Sequence, residues 1–317
     1  MILSASRRTD IPAFYFDWFL NRLEEGFVLV RNPFNPHLIS RISLHGTVDF
    51  IVLWTKNPAP AFKRLDNLNR QALPYYVLFT ITPYGRDLER NLPSQRELIH
   101  TFRKLSEKIG KERVIWRYDP VLFSAEIDTC FHIQHFANLA KELEGSTERC
   151  VISFLHLYRK VRLNLRNFPV IDSDEERKVR TGNEIAGIAK TYGITVFSCA
   201  EEVDLTRVGI KKGRCIDDLL ISRITGMPFS LPKDRYQRSA CGCVESIDIG
   251  AYDTCVHHCL YCYANTNHRT ARKNRVLHDP SSPLLIGTIQ NSDRIVDRKV
   301  ELYKPQNLSL DQCVSSE

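Results

Sequence analysis

The chain has 317 residues, 43% hydrophobic and 26% charged, enough to bury a sizeable core as one large domain, alone or with a small appendage. No stretch approaches the uncharged apolar length that a bilayer demands, and Arg7 and Arg8 stand where a secretory leader needs apolar residues, so a cytoplasmic protein with no membrane partner is expected. The net charge of +7 is dispersed, densest at Lys211, Lys212, Arg214 and at Arg269, Arg272, Lys273, Arg275; this supports a solvated face better than a nucleic-acid groove.

Taken in chain order, an apolar run at residues 1–4 predicts a first strand, followed by Ser6, Arg7, Arg8 and Asp10. A helix is expected over residues 13–25. Residues 27–44, with Pro33 and Pro36 between two short apolar runs, read as a hairpin-like insertion. Further strands are expected at residues 50–54, 76–82, 113–117, 150–154, 194–199 and 246–249. Most of these are continuous apolar runs, the pattern of parallel strands covered on both faces. Between them, Ser94 and Glu97 make a capping box, Leu98, Phe102, Leu105 and Ile109 trace a helical stripe, and Gly110 supplies the stop. Another helix is expected over residues 127–143, and Ser173 with Glu176 repeats the start signal before one more.

Strand and helix in alternation, with no Gly-rich dinucleotide turn after any strand, favour a parallel β/α barrel, complete or partial and TIM-like, over a doubly wound sheet. The barrel is expected over residues 1–277, and the alternation fades in an extension over 278–317 whose polar end, 307–317, reads as a loose tail. Functional groups of a barrel come from the carboxyl ends of its strands. There the sequence places Lys56, Thr82, Arg117, Asp119, Tyr158 and Glu201. Arg117 and Asp119 are the strongest candidates, since Arg offers a rigid fork for a carboxylate or phosphate and a paired Asp orients it or meets a ribose hydroxyl. The alternative is a structural ion pair closing the barrel. Trp54 and Trp116 read as core or pocket wall.

Five of the ten cysteines, Cys241, Cys243, Cys255, Cys259 and Cys262, lie close together, whereas Cys130, Cys150, Cys199, Cys215 and Cys313 are scattered. In a reducing compartment, clustered thiols are metal ligands or redox groups more often than structural disulfides. The segment Thr254-Cys255-Val256-His257-His258-Cys259-Leu260-Tyr261-Cys262-Tyr263 has the spacing C-x-x-x-C-x-x-C. Three thiolates on one loop hold three irons of a cubane and leave the fourth iron open to a cofactor or substrate.

This segment resembles the radical S-adenosylmethionine superfamily, whose signature is this spacing with an aromatic residue before the third cysteine, here Tyr261. The form Cys259-Leu260-Tyr261-Cys262-Tyr263 is similar to that of the spore photoproduct lyase branch. The whole chain resembles a bacterial family called domain of unknown function 1848, with such a cluster near its carboxyl terminus. The resemblance implies a [4Fe–4S] cluster on Cys255, Cys259 and Cys262, with Tyr261 at the cofactor. It further implies S-adenosylmethionine cleaved to methionine and a 5′-deoxyadenosyl radical, and an electron donor such as flavodoxin or ferredoxin. Because that superfamily carries the motif after its first strand, the resemblance implies a circularly permuted barrel, with strand 246–249 parallel to strand 1–4. No Gly-Gly-Glu counterpart for the cofactor's amino group is found.

Two alternatives stay open. Zinc would suit a Cys/His set drawn from Cys241, Cys243, His257 and His258, giving a regulatory or nucleic-acid-associated protein without radical catalysis. Separately, Cys241 and Cys243 suit a second metal completed by Cys199 or Cys215, a redox pair, or two unmetallated thiols.

Overall fold

The computed structural model describes residues 1–300, 302 and 303. Its strands are β1 (Ile2–Ala5), β2 (Phe27–Arg31), β3 (Leu38–Ser43), β4 (Phe50–Thr55), β5 (Tyr75–Thr80), β6 (Val114–Val121), β7 (Arg149–Phe154), β8 (Thr195–Ser198), β9 (Lys211–Lys212), β10 (Ile247–Asp248) and β11 (Arg294–Asp297). Eight of them form one sheet in the order β10-β1-β4-β5-β6-β7-β8-β9, every neighbouring pair parallel. The fold is therefore mixed α/β around a large parallel sheet. Parallel neighbours need crossovers, and the long ones here carry the helices Phe16–Glu25, Gln95–Ile109, Thr129–Glu142 and Glu175–Thr191.

The continuous apolar runs have their physical reason in two buried faces. Leu3, Ile51, Leu53, Val77, Phe79, Trp116 and Ile152 pack with helix residues Trp18, Phe102, Phe136 and Ile185 in one core. Their alternating neighbours Ile2, Phe50, Val52, Tyr76, Leu78, Ile115 and Val151 form a second core with Trp54, Cys199, Cys215, Ile216, Cys241 and Cys243. Each strand contributes to both because successive side chains point to opposite faces.

The expected strand 246–249 does lie beside strand 1–4, parallel, with Leu3 opposite Ile247 and Ser4 opposite Asp248. Strand β9 has no apolar run to announce it, being two exposed lysines held against β8. The sheet ends at β9 on one side and β10 on the other. Past those edges the chain meets itself again, since Val244 N donates to Ile216 O at 3.2 Å.

Most helix signals fall where expected, including the capping box of Ser94 and Glu97. Two differ. Asp174, not Ser173, caps the helix Glu175–Thr191, accepting from Arg177 N at 2.8 Å. The helix expected over residues 13–25 is split into Ile11–Phe14 and Phe16–Glu25 at Tyr15, whose hydroxyl donates to Thr254 O at 2.7 Å.

The insertion is an antiparallel β2–β3 hairpin, joined in parallel by β11. The segment leading to β11 is tied to the second of these helices and to the hairpin. Trp18 Nε1 donates to Ser282 O at 2.8 Å, Arg22 Nη2 to Ser281 O at 2.9 Å, and the Arg31 fork grips Asp293 at 2.6 and 2.7 Å. The tail expected over 307–317, and Cys313 with it, lie outside the described residues. Among the described residues no helix is long and apolar enough to cross a membrane.

Candidate metal and cofactor site

The segment bearing Cys255, Cys259 and Cys262 leaves the carboxyl end of β10, and the carboxyl ends of β1, β4 and β5 supply its supports. The loop after β5 runs alongside it: Leu260 N donates to Leu88 O at 2.9 Å, Asn91 N to His257 O at 3.0 Å and Asn91 Nδ2 to Val256 O at 2.9 Å. At the centre of this contact stands Glu89, buried at 5% exposure. Its Oε1 accepts from Lys56 Nζ at 2.7 Å, from Thr82 Oγ1 at 2.6 Å and from the Tyr261 hydroxyl. The ends of β4 and β5 are thus fastened to the aromatic of the cysteine motif through one carboxylate. Tyr261 itself is buried, packed edge-on against Tyr84 at 5.7 Å in a small core with Leu88 and Leu122. It braces the loop.

A second carboxylate, Asp10, serves the other end of the loop. Asp10 Oδ2 accepts from His257 Nε2 at 2.8 Å and from the Lys56 backbone N at 2.7 Å, while its Oδ1 caps the helix Ile11–Phe14. His257 is therefore turned to Asp10 through Nε2, and its buried Nδ1 has no hydrogen-bond partner. His258 stacks on His268 with centroids 3.9 Å apart. Asp248 closes the set at the β1–β10 pair, accepting from Ser6 Oγ at 2.7 Å, Arg7 N at 2.7 Å and Gly250 N at 3.0 Å. Gly250 is needed here, since a Cβ on it would fall 2.0 Å from Ser6 Oγ.

Burial pushes all three loop thiols above their ordinary range. Opposing that push, the backbone at His257 favours the thiolate of Cys255 and that at Ala264 and Asn265 the thiolate of Cys262, and the Lys56 ammonium favours those of Cys259 and Cys262. Ligands must be thiolates, so a half-buried three-cysteine loop whose thiolates are favoured by backbone groups and a lysine charge is suited to soft metal chemistry.

Arg117 and Asp119 are brought together, but with each other. Arg117 Nη2 pairs with Asp119 Oδ2, Asp119 Oδ1 also accepts from Ser153 Oγ, and the guanidinium lies over the Trp54 ring, 4.9 Å from its centroid. Arg117 Nε is buried with no partner. Arg7 approaches the same indole at 5.7 Å, and the Tyr263 hydroxyl donates to Arg7 O at 2.9 Å. Trp54, expected as core or pocket wall, thus carries two guanidinium groups next to the cysteine loop. Of the remaining candidates, Glu201 pairs with Lys178 at 3.1 Å and Tyr158 is exposed, 6.3 Å from Tyr263.

Cys241 and Cys243 face the interior with Cys199 and Cys215. The ligand atoms of Cys199, Cys215 and Cys243 all lie within 4.8 Å of one another, with Cys215 and Cys199 sulfurs 3.1 Å apart. This cluster can bind a metal. Cys243 is held well below the usual thiol range by the S–H groups of Cys199, Cys215 and Cys241. Arg7, which burial alone would push down, is raised by the charges of Cys243, Asp248 and Cys215.

The sequence did not single out Glu89 or Asp248. Glu89 lies well beyond β5 in a loop without periodicity, and only its neighbourhood reveals it. Asp248 had a usable signal, a lone carboxylate inside an otherwise apolar strand.

A comparison with curated proteins finds none that matches. Residues 2–264, which span both cysteine groups and the whole parallel sheet, match the family model described as Domain of unknown function (DUF1848), and the chain belongs to that family.

Proposed function

We propose that the protein is a radical S-adenosylmethionine enzyme whose [4Fe–4S] cluster is held by Cys255, Cys259 and Cys262. The observation that carries this reading is the loop itself. Three thiols in the C-x-x-x-C-x-x-C spacing leave the carboxyl end of a parallel strand, and the charge of Lys56 favours the thiolates of two of them. When bound, such a cluster supplies the electron that cleaves S-adenosylmethionine to methionine and a 5′-deoxyadenosyl radical. Glu89 and Asp10 fix the two ends of the loop, the first through Tyr261 and the second through His257. Arg117, paired with Asp119 and stacked on Trp54, offers a fork to the carboxylate or phosphate of a cofactor or substrate. Burial of these groups keeps water from a reactive intermediate. Reduction calls for a low-potential donor of the flavodoxin or ferredoxin kind.

The same reading makes the sheet a closed barrel, permuted so that the cluster strand comes last in sequence and first in space. Support comes from the parallel β1–β10 pair and from the Val244-to-Ile216 hydrogen bond beyond the two sheet edges.

The test is anaerobic reconstitution with iron and sulfide, then reduction by dithionite with S-adenosylmethionine and an assay for 5′-deoxyadenosine. Close to one four-iron cluster per chain is expected, lost when Cys255, Cys259 or Cys262 becomes Ala, together with product formation. A chain that takes up no iron at this loop, or that holds the cluster and yields no 5′-deoxyadenosine, overturns the proposal.

A further inference from the structure

We infer that Cys199, Cys215, Cys241 and Cys243 form a second, closed metal site that takes a single tetrahedral zinc ion and fastens the two edges of the parallel sheet to each other. Cys199 directly follows β8, Cys215 follows β9, and the Cys241-Gly242-Cys243 hook precedes β10. One ion ligated by these four would tie β8 and β9 to β10, the two sides that no ladder joins.

The geometry selects a single ion. With zinc–sulfur bonds of about 2.3 Å, tetrahedral ligands sit roughly 3.8 Å apart, and the Cys199, Cys215 and Cys243 sulfurs, all within 4.8 Å of one another, already approximate that arrangement. A cubane would spread its thiolates over separate irons. Cys241, two positions from Cys243 and buried in the same core, is the residue we assign as the fourth ligand. All four thiols are buried and none is in a disulfide. Ile216 N donates to Cys243 Sγ at 3.4 Å, the backbone N–H support common around metal thiolates.

Local sequence fits the demand for close approach. A Cβ on Gly213, two residues before Cys215, would meet Phe197 Cβ at 2.7 Å and Ser198 O at 2.9 Å, so only glycine lets this turn lie against β8. A Cβ on Gly242 would meet Gly213 O at 3.3 Å, so the hook itself is pressed onto that turn. The excess negative charge of four thiolates around one divalent ion is opposed by Arg7, whose guanidinium interacts with Cys243 and Cys215, and by Arg117, which interacts with Cys215. A closed tetrathiolate site is structural, with no open coordination position.

The experiment measures metals in the full chain purified without added metal, beside the variant carrying Cys255→Ala, Cys259→Ala and Cys262→Ala together. One zinc per chain is expected in both, because the interior site does not depend on the loop, and a failed radical assay leaves this result unaffected. Cys243→Ser should release the zinc. Should that variant fail to fold, cobalt exchanged into the unaltered chain gives the same information, since four thiolates and three produce distinguishable visible spectra. Chains without zinc, zinc lost in the triple loop variant, or a Cys199–Cys215 disulfide in freshly purified protein would each overturn the inference.

Discussion

Lys56 Nζ donates to Glu89 Oε1 at 2.7 Å, joining the end of β4 to the loop after β5 at a point where both side chains are largely hidden from water. Removing one partner of such a pair strands a buried charge, at a cost of about 3 kcal/mol. Glu89→Ala is therefore expected to lower the denaturation midpoint and also to weaken iron retention by the loop, because Tyr261 loses its anchor. Glu89→Gln keeps an acceptor and should fall between the two. Urea unfolding together with iron content after gel filtration checks this; normal iron retention in a destabilised Glu89→Ala chain would show that the carboxylate does not serve the loop.

Arg117 gives a sharper choice between function and support. If its fork meets a charged group of cofactor or substrate, Arg117→Ala and Arg117→Lys both impair turnover, the first by roughly ten- to hundredfold in affinity for about 1.5–3 kcal/mol of lost contact. Iron content should be unchanged, since Arg117 is no ligand. Soluble expression and cluster assembly lost together in Arg117→Ala would leave only the ion pair with Asp119.

His132 predicts a pH dependence of folding. It is fully buried, its Nε2 donating to Leu122 O at 2.8 Å while Tyr118 donates to Nδ1 at 2.8 Å, and burial pushes it down to about 4. The folded protein thus holds this ring neutral, whereas in the unfolded chain it titrates near its ordinary value of about 6.5. Its contribution is complete above that value and is lost as pH falls towards 4, by about 3 kcal/mol in total. In His132→Gln this part of the acid limb should disappear, so the stability difference from the unaltered chain narrows between pH 7 and pH 5. A constant difference across that range would rule out the buried neutral ring as the cause.

How much was legible follows from what kind of signal each element carries. Strands such as β4 and β5 are buried on both faces, and their unbroken apolar runs say so. Strand β9 is two exposed lysines and says nothing of the kind. The helix cap at Asp174 was missed by one residue because Ser173 and Asp174 are both good caps, and the sequence alone does not show which side chain turns to the backbone. The cysteine loop was readable because its three thiols are adjacent in sequence. The interior thiols were half readable: the Cys241-Gly242-Cys243 hook is local, but Cys199 and Cys215 reach it only through the order of β8, β9 and β10. Glu89 belongs to the same class, its role arising from Lys56, Thr82 and Tyr261 on three different segments.

The pairing of Leu3 with Ile247 spans 244 positions of chain. During synthesis β1 emerges first but waits for β10, while β4 to β8 can associate as they appear. Such long-range closure is slow relative to local pairing, so the sheet is completed only after nearly every other strand is in place. The cysteine loop then follows within a few residues, onto a scaffold whose receiving groups, Asp10, Lys56 and Glu89, have already been made. On the function proposed above, loading of a metal at this loop falls at the end of folding, after the groups that receive the loop are in place.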